Sequence, residues 1–334
     1  MKMDAQAGLA DVAKPAAVAA PATPESLTPS LTASLTAAVS LGAARSLLFV
    51  PGNRAERWAK ALASGADLVC IDLEDAVPPA ERALARRQLT AHLSTHGADA
   101  RCGVRINRLS SSDALQDVLA LQGLLKSPSL PGPNSAPAFV MLAKTESAAQ
   151  LELLAAWLPG VPLVALIESS IGVLAAAAIA QARAPLCALM FGGADLAAEL
   201  GCEMAWEPLL GARCALVLAA ACRGDTNTDR NTGSKADSSL ALWDVPCLAI
   251  HDAVGTEAET RRVAALGYTG KAVIHPAQVA PVHAGLAADP AALERARRVV
   301  AAALHNEAAV MLDGRLVDRP VVLAAQRLLR RATT

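Results

Sequence analysis

Aromatic side chains are scarce in this sequence: Phe, Trp and Tyr make up 2% of its 334 residues, whereas hydrophobic residues reach 53%. A chain of this length can form one large domain with a full core. Because aromatic residues are so few, Ala, Leu and Val must fill most of that core. An excess of basic residues is missing too, since the formal net charge is -1 and no long basic stretch occurs. Nucleic-acid binding through a phosphate-neutralising face is therefore not expected.

Paired cysteines and long apolar runs are also absent. The seven cysteines stand singly, without a Cys-x-x-Cys pair, which argues against a zinc site and favours reduced, buried thiols in a cytoplasmic protein. A membrane-spanning helix needs about 20 apolar residues, but the Ala-rich stretch 171–180 is bounded by Glu168 and Arg183. The N-terminus lacks the basic region and compact apolar core of a secretory signal.

Composition divides the chain into a leader and a domain. Residues 1–44 are rich in Ala, Pro, Ser and Thr without a useful apolar period, so we expect a disordered leader. Residues 45–330 carry regular apolar patterns and are predicted to form one domain. Two polar stretches, 126–137 and 223–239, interrupt it and are predicted to be solvated loops.

Short apolar runs alternate with helical patterns throughout residues 45–330. We predict strands at 45–50, 67–72, 101–106, 138–142, 162–167, 186–191, 246–250 and 270–275, and helices at 54–64, 79–95, 112–125, 146–157, 169–182, 206–222, 256–266 and 276–305. Eight strands, each followed by a helix, predict an α/β fold of the (β/α)8 TIM-barrel type with a C-terminal helical extension. A doubly wound open sheet is the alternative, but "VPGNRAE" (50–56) lacks its Gly-rich turn.

Polar side chains follow every predicted strand, and in a TIM barrel these strand ends meet at the catalytic face. In chain order they are Arg54, then Asp72, Glu74 and Asp75, then Arg105, Lys144, Glu168, the Gly193-Ala194-Asp195 segment, His251 with Asp252, and His275. Each has a structural explanation when taken alone. Asp195 could cap a helix, Glu168 could answer a helix dipole, and His275, before Pro276, is interpreted first as a cap. Their convergence favours a site.

Glu168 and Asp195 follow neighbouring strands, the predicted fifth and sixth. Two nearby carboxylates repel each other unless a cation lies between them. All-oxygen ligation suits Mg2+, which commonly takes one or two carboxylates and completes its coordination with water or substrate. The acids Glu74 and Asp75 could hold water bound to that ion. The sequence thus predicts a magnesium site.

Two cationic side chains join this face. Arg105 offers a planar fork suited to a carboxylate or a developing enolate, and Lys144 either pairs with one of the acids or contacts substrate. Gly192 and Gly193 allow the backbone to approach a ligand closely.

The motifs together resemble a known family. "RSLLFVPGNRAERWAKALASGADLVCIDLEDAVPPAERALAR" (45–86) is similar to the opening of the citrate lyase beta-subunit family, the CitE-like members of the HpcH/HpaI aldolase superfamily. The likeness continues through "VRIN", "VMLAKTES", "ALIESSIGV", "FGGADLAAELG" and "GKAVIHPAQV" and closes with "MLDGRLVDRPVVLAAQRLL" (311–329). It implies a Mg2+-dependent barrel, usually a homotrimer, that acts on acyl thioesters of CoA or of an acyl carrier.

Carried over by motif, the resemblance makes Glu168 and Asp195 the metal ligands. Arg105 becomes the electrostatic partner of the substrate carboxylate and enolate, and Glu74 and Asp75 support the metal. By the same likeness Arg54 belongs to the thioester and nucleotide end. Lys144, Gly193 and Ala194 are further candidates for contact with substrate or cofactor. The general base is left open between Asp252 and an acid from a neighbouring subunit.

The expected reaction is carbon–carbon cleavage of a 3-hydroxy-acyl thioester of the malyl-CoA, citramalyl-CoA or citryl type. Its products are a 2-oxoacid (oxaloacetate from a citryl substrate) and an acyl thioester. Thioester hydrolysis at the same site is the first alternative, and a non-catalytic binding subunit is another. An aldolase acting on free 2-oxo-3-deoxy acids is disfavoured, because such relatives usually place a His base early in the barrel and none occurs between residues 45 and 91.

Overall fold

The computed structural model describes residues 41–96, 99, 101–126, 136–226, 240–304 and 309–333. Most of the predicted leader and of the two polar stretches therefore lies outside the described residues. The last four residues of the 1–44 segment are an exception, since residues 41–43 are helical and Leu41 and Ala44 are buried. The packed residues thus include positions 41–44 of the predicted leader.

Eight parallel strands form a closed barrel in sequential order, with the last strand paired to the first. The predicted (β/α)8 TIM barrel is confirmed. The strands are β1 (Ser46–Pro51), β2 (Leu68–Asp72), β3 (Cys102–Ile106), β4 (Val140–Leu142), β5 (Leu163–Ile167), β6 (Leu186–Phe191), β7 (Ala241–Asp244) and β8 (Gly270–Val273).

Helices pack around this barrel and continue beyond it. They are α1 (Trp58–Leu62), α2 (Arg82–His96), α3 (Ser112–Leu125), α4 (Ala148–Trp157), α5 (Ser170–Ala180), α6 (Gly193–Leu200), α7 (Trp206–Thr226), α8 (Ala253–Leu266), α9 (Val279–Leu286) and α10 (Pro290–Leu304). A hairpin of β9 (Val310–Leu312) and β10 (Arg315–Val317) and helix α11 (Arg319–Thr333) form the C-terminal extension. Within the described ranges, no helix combines the length and apolarity needed to cross a bilayer.

Most positions of the strands are apolar because both faces of each strand are buried. In β5, for example, Leu163, Ala165 and Ile167 belong to the layer shared with the helices, whereas Val164 and Leu166 join a second buried cluster made from alternate strand positions. Small aliphatic residues fill most of both layers, as expected. The second cluster also holds two of the few aromatics, Phe139 and Trp243, whose ring centroids lie 6.2 Å apart.

The seventh strand was predicted wrongly at 246–250. The observed strand, Ala241–Asp244, pairs with β6 and β8, and residues 246–252 form the loop that follows it. The apolar run in that loop is partly exposed, with Leu248 at 61%. The strand itself was missed because it is only four residues long and ends in a charged residue, Asp244, which is fully buried among cationic partners.

The structure also differs from the predicted helices at two places. Helix α6 follows β6 directly, where no helix was predicted. The single helix expected at 276–305 is a short 3-10 turn followed by α9 and α10. It breaks before Pro290, because proline lacks the N–H that continues a helix and favours its first turn.

The N-terminal ends of β1 and β2 are tied to α9 by a polar contact. The Ser46 hydroxyl lies 2.8 Å from His283 Nε2, and Asp67 Oδ2 lies 3.4 Å from the same nitrogen while accepting from the Arg45 N–H at 2.8 Å. Burial alone would raise the pKa of Asp67, but the hydrogen bonds to His283 and Arg45 lower it from 3.8 to about 2.

Asp67→Asn is expected to destabilise the barrel in a pH-dependent way. A carboxyl whose folded pKa is depressed stabilises the fold above its unfolded pKa, and this contribution is lost as pH falls through the folded value. The variant should lose up to about 2 kcal/mol at pH 7, and its difference from the parent should shrink as pH falls from 4 towards 2. Thermal unfolding across pH, with the exposed Glu203→Gln as control, measures this. A difference independent of pH would contradict it.

Candidate active site

Arg105 is held rigidly at the mouth of the barrel. It lies beside Asp72 in the β2–β3 register, and Asp72 accepts two hydrogen bonds from it, at 2.7 Å from Nε and 2.5 Å from Nη2. The Phe49 ring lies below the guanidinium, 5.0 Å from its carbon. Burial alone would raise the pKa of Asp72, but the Arg105 charge lowers it below its ordinary value. Arg105 therefore presents its remaining donors in one fixed orientation.

Carboxylates from three strand ends surround the Lys144 ammonium. Its Nζ lies 3.1 Å from Glu74 Oε1, 3.2 Å from Asp195 Oδ1, 3.8 Å from Asp75 Oδ2 and 4.0 Å from Glu168 Oε1. Lys144 therefore pairs with the acids, which is one of the two roles left open for it; its contact with substrate stays a prediction.

Glu168 and Asp195 approach each other from the ends of β5 and β6, which are paired neighbours. Glu168 is buried and accepts from the Lys144 backbone N–H at 2.8 Å. Gly192 makes this packing feasible, since a Cβ there would lie 2.3 Å from the Glu168 Cβ. Asp195 is the third residue of α6, behind Gly192 at the N-cap, so its interpretation as a helix cap is wrong.

The cluster is short of positive charge. Within the described part of the chain, five carboxylates, those of Asp72, Glu74, Asp75, Glu168 and Asp195, lie within 4.0 Å of two cationic side chains, Arg105 and Lys144. This leaves a net charge of -3 if all are ionised (five minus two). Burial is the main reason that the pKa of Glu168 rises to about 8, and the charges of Glu74 and Asp195 raise it further against the opposing Arg105. Burial also raises the pKa of Glu74.

These donors fit a hard cation. Among the described residues, no three His, Cys, Asp or Glu side chains form a ready-made metal shell. Two carboxylates with open positions match the usual binding of Mg2+, which keeps water or substrate oxygens as its other ligands. A cation, the Lys144 ammonium, already lies among these oxygens, which shows that the local field attracts positive charge.

The structure thus brings together six of the predicted site residues, Glu74, Asp75, Arg105, Lys144, Glu168 and Asp195. Gly193 is buried at the start of α6 beside them, while Arg54 and Ala194 are exposed on the same face. His275 is the predicted cap, since its Nδ1 accepts from the Ala277 N–H at 3.2 Å.

Asp252 does not follow β7 directly, contrary to the sequence-based placement. It is the exposed N-cap of α8 and accepts from the Gly255 N–H at 2.8 Å. It lines a different pocket, of about 230 Å3, together with Trp206, Arg213 and Leu248.

Sequence reasoning missed Asp72 as a functional residue. It lists Asp72 among the acids after β2, but only the β2–β3 register shows that this acid orients Arg105. The sequence did contain a signal for this role. Asp72 is the last residue of the strand itself, whereas Glu74 and Asp75 come after it.

Comparison with known proteins shows which family has this arrangement. Residues 45–276 match the HpcH/HpaI aldolase/citrate lyase family. The citrate lyase subunit beta-like protein of Mycobacterium tuberculosis is 36% identical over 292 residues, covering 85% of this chain and 94% of the relative. A (3S)-malyl-CoA thioesterase of Cereibacter sphaeroides is 33% identical over 297 residues, covering 86% and 94%.

A solved structure shares the fold over most of its length. The crystal structure of CitE from Mycobacterium tuberculosis in complex with magnesium, acetoacetate and coenzyme A superposes with a TM-score of 0.71 at 34% identity, covering 88% of this chain and all of that one. Both the sequence match and the conserved architecture lead to one conclusion: this chain belongs to the HpcH/HpaI aldolase/citrate lyase family.

Proposed function

We propose that this protein is a Mg2+-dependent carbon–carbon lyase that cleaves a 3-hydroxy-acyl thioester of CoA, of the malyl, citramalyl or citryl type, into a 2-oxoacid and an acyl thioester. The observation that carries the proposal is the cluster that the described residues form at the carboxyl ends of β2 to β6, in which five carboxylates surround two cations. Relatives named for citrate lyase and malyl-CoA chemistry support the substrate class.

Glu168 and Asp195 would hold the metal. They combine a buried carboxylate with a partly open one, at side-chain exposures of 2% and 37%, so one anchors the ion while the other faces the substrate side. When bound, Mg2+ supplies Lewis-acid polarisation and a template for the 2-oxoacid oxygens. A related structure of the Mycobacterium tuberculosis citrate lyase beta subunit is complexed with oxaloacetate and magnesium, at 33% identity and a TM-score of 0.59, covering 74% of this chain and 99% of that one.

Arg105 stabilises the charge that develops during cleavage. Breaking the carbon–carbon bond leaves its electron pair on the acyl fragment, as the enolate of the thioester, while the hydroxyl-bearing carbon becomes a carbonyl. Because Asp72 fixes the guanidinium in advance, little reorganisation is needed when the charge forms, and such preorganised electrostatics contribute most to catalysis. Asp72 acts through Arg105 and is a positioning residue.

The proton of the substrate hydroxyl needs an acceptor at the same face. Asp75 is the most solvent-open acid of the cluster, with 52% of its side chain exposed, and it supplies a carboxylate that substrate can reach. Glu74 and Lys144 keep Asp75 within the charged network. An acid from a neighbouring subunit is the other proposed acceptor, because Asp252 caps α8 and lines a different pocket.

A homotrimer is proposed from the sequence resemblance. The β9–β10 hairpin supports self-association, because its paired residues Met311 and Leu316 expose 66% and 59% of their surface. Contiguous exposed apolar side chains commonly mark an association surface.

Thioester hydrolysis is the second candidate function, favoured by the (3S)-malyl-CoA thioesterase relatives. Incubation with malyl-CoA or citramalyl-CoA and Mg2+ separates the two. A lyase forms glyoxylate or pyruvate in equal amount with acetyl-CoA, whereas a thioesterase releases free CoA and malate or citramalate. Products should be followed by chromatography, with EDTA as the control. Retained Mg2+ binding without turnover of these substrates or of citryl-CoA would identify a non-catalytic binding protein instead.

A further inference from the structure

The Lys144 ammonium is placed where a cation is most needed. It hydrogen-bonds to Glu74 and Asp195 at 3.1 and 3.2 Å and lies within 4.0 Å of Glu168. These are acids from three different strand ends, so this one side chain neutralises the centre of the cluster. Both proposed metal ligands therefore already face a positive charge.

The backbone around Lys144 is fixed by hydrogen bonds, whereas its side chain reaches the barrel mouth through a flexible stem. Lys144 has a φ of 50°, a left-handed conformation that is rare for residues other than glycine. Its N–H donates to Glu168, and the next N–H, of Thr145, donates to the Leu166 carbonyl at 3.0 Å. The side chain is 27% exposed at the barrel mouth, and its flexible four-carbon stem permits the ammonium to move while the main chain stays in place.

We propose that Lys144 is a built-in counter-ion that competes with the divalent metal for Asp195 and Glu168. This inference rests on the metal site of the proposed function. Two cations placed against the same carboxylates repel each other, and the repulsion is strong in a partly buried site. The ammonium must therefore leave Asp195 when the metal binds, so Lys144 stabilises the metal-free protein and lowers its affinity for Mg2+.

The test compares Lys144→Met with Lys144→Arg. Isothermal titration with MgCl2 should show that Lys144→Met binds Mg2+ at least tenfold more tightly than the parent, whereas Lys144→Arg, which keeps the charge, stays within a few-fold. In EDTA the Met variant should melt at a lower temperature than the parent, and Mg2+ should restore it. Lys126→Met, at an exposed helix end, removes the same charge far from the cluster and should change neither quantity.

Unchanged or weaker Mg2+ binding by Lys144→Met would overturn the inference, because a lysine that merely positions the ligands has that effect. Asp195→Asn separates this outcome from failure of the proposed function. If Asp195→Asn binds Mg2+ as well as the parent does, the metal site itself is wrong and the inference falls with it. If Asp195→Asn loses the metal while Lys144→Met is unaffected, only the role of Lys144 is wrong.

A measurement on the unaltered protein covers the case in which Lys144→Met does not fold. Acetic anhydride modifies free lysine amines, and mass spectrometry of the peptides reports each site. Mg2+ should raise the labelling rate of Lys144 severalfold as its ammonium leaves the acids, and leave that of Lys126 unchanged. A labelling rate of Lys144 that stays constant or falls with Mg2+ would reject the competition.

Discussion

Asp195→Asn and Glu168→Gln are each expected to lower kcat/KM by about a thousandfold or more, the scale of losing a principal electrostatic contribution to catalysis. Each replacement removes one of the two proposed metal-binding carboxylates and keeps the shape of the side chain. The amide still accepts a hydrogen bond, so the Lys144 N–H keeps its partner in Glu168→Gln. The measurements are steady-state cleavage of malyl-CoA and calorimetric titration of Mg2+. Each variant should lose turnover and Mg2+ binding together.

Folding of Glu168→Gln should survive, for an electrostatic reason. Burial raises the pKa of Glu168 to about 8, so without metal the side chain is largely neutral at pH 7, as glutamine is. Its melting temperature in EDTA should therefore be close to that of the parent, while Mg2+ should stabilise only the parent. Asp113→Asn, which alters an ion pair between α2 and α3, is the matched control and should keep full activity. Normal turnover by either amide variant would show that the metal site lies elsewhere.

Lys271→Met is expected to destabilise the protein by about 3–5 kcal/mol, the cost of leaving a buried charge without its partner. Lys271 and Asp244 are 1% and 0% exposed and lie 2.7 Å apart, and Lys271 also donates to the Val245 carbonyl at 2.6 Å. Methionine fills a similar volume but donates no hydrogen bond. Asp244 would therefore lose one of its two cationic partners among the described residues and keep Arg213, at 2.9 Å, which neutralises the buried cluster less completely. Thermal unfolding should show a drop in Tm of roughly 10 °C.

An exposed ion pair gives the comparison. Arg298 contacts Asp313 with side chains that are 48% and 57% exposed, and such pairs contribute about 0–1 kcal/mol. Arg298→Met should therefore change Tm by only a few degrees. A similar small effect for Lys271→Met would mean that the buried ion pair does not hold β7 against β8. The position of Asp244 at the end of β7 would then need another explanation.

Local pattern was sufficient for most of the barrel. The runs at β5 and β6 are apolar throughout, and that at β2 is apolar up to Asp72, because strands between two packed layers need no polar face. From parallel strands alone it follows that their carboxyl ends share one face, so Glu168 and Asp195 could be paired before any coordinates were known. The same argument predicted that Glu74, Asp75, Arg105 and Lys144 lie on that face.

Local pattern failed where a charge is buried. Asp244 ends β7 inside the protein, which a hydrophobic pattern does not anticipate, and its partners Arg213 and Lys271 are 31 and 27 residues away in the chain. An apolar loop, 246–250, was therefore mistaken for the strand. Asp252 was consequently assigned to the wrong place, at the end of a strand rather than at a helix cap.

The sequence by itself determined the fold class, the family and the face on which the acids gather, since these depend on periodicity and on motifs read along the chain. Only the tertiary structure decided which acid orients Arg105 and with which acids Lys144 pairs. Those pairings depend on the register of neighbouring strands and on distances between residues 33 to 70 positions apart. Electrostatic attraction acts through space, so its outcome is settled only when the barrel has closed.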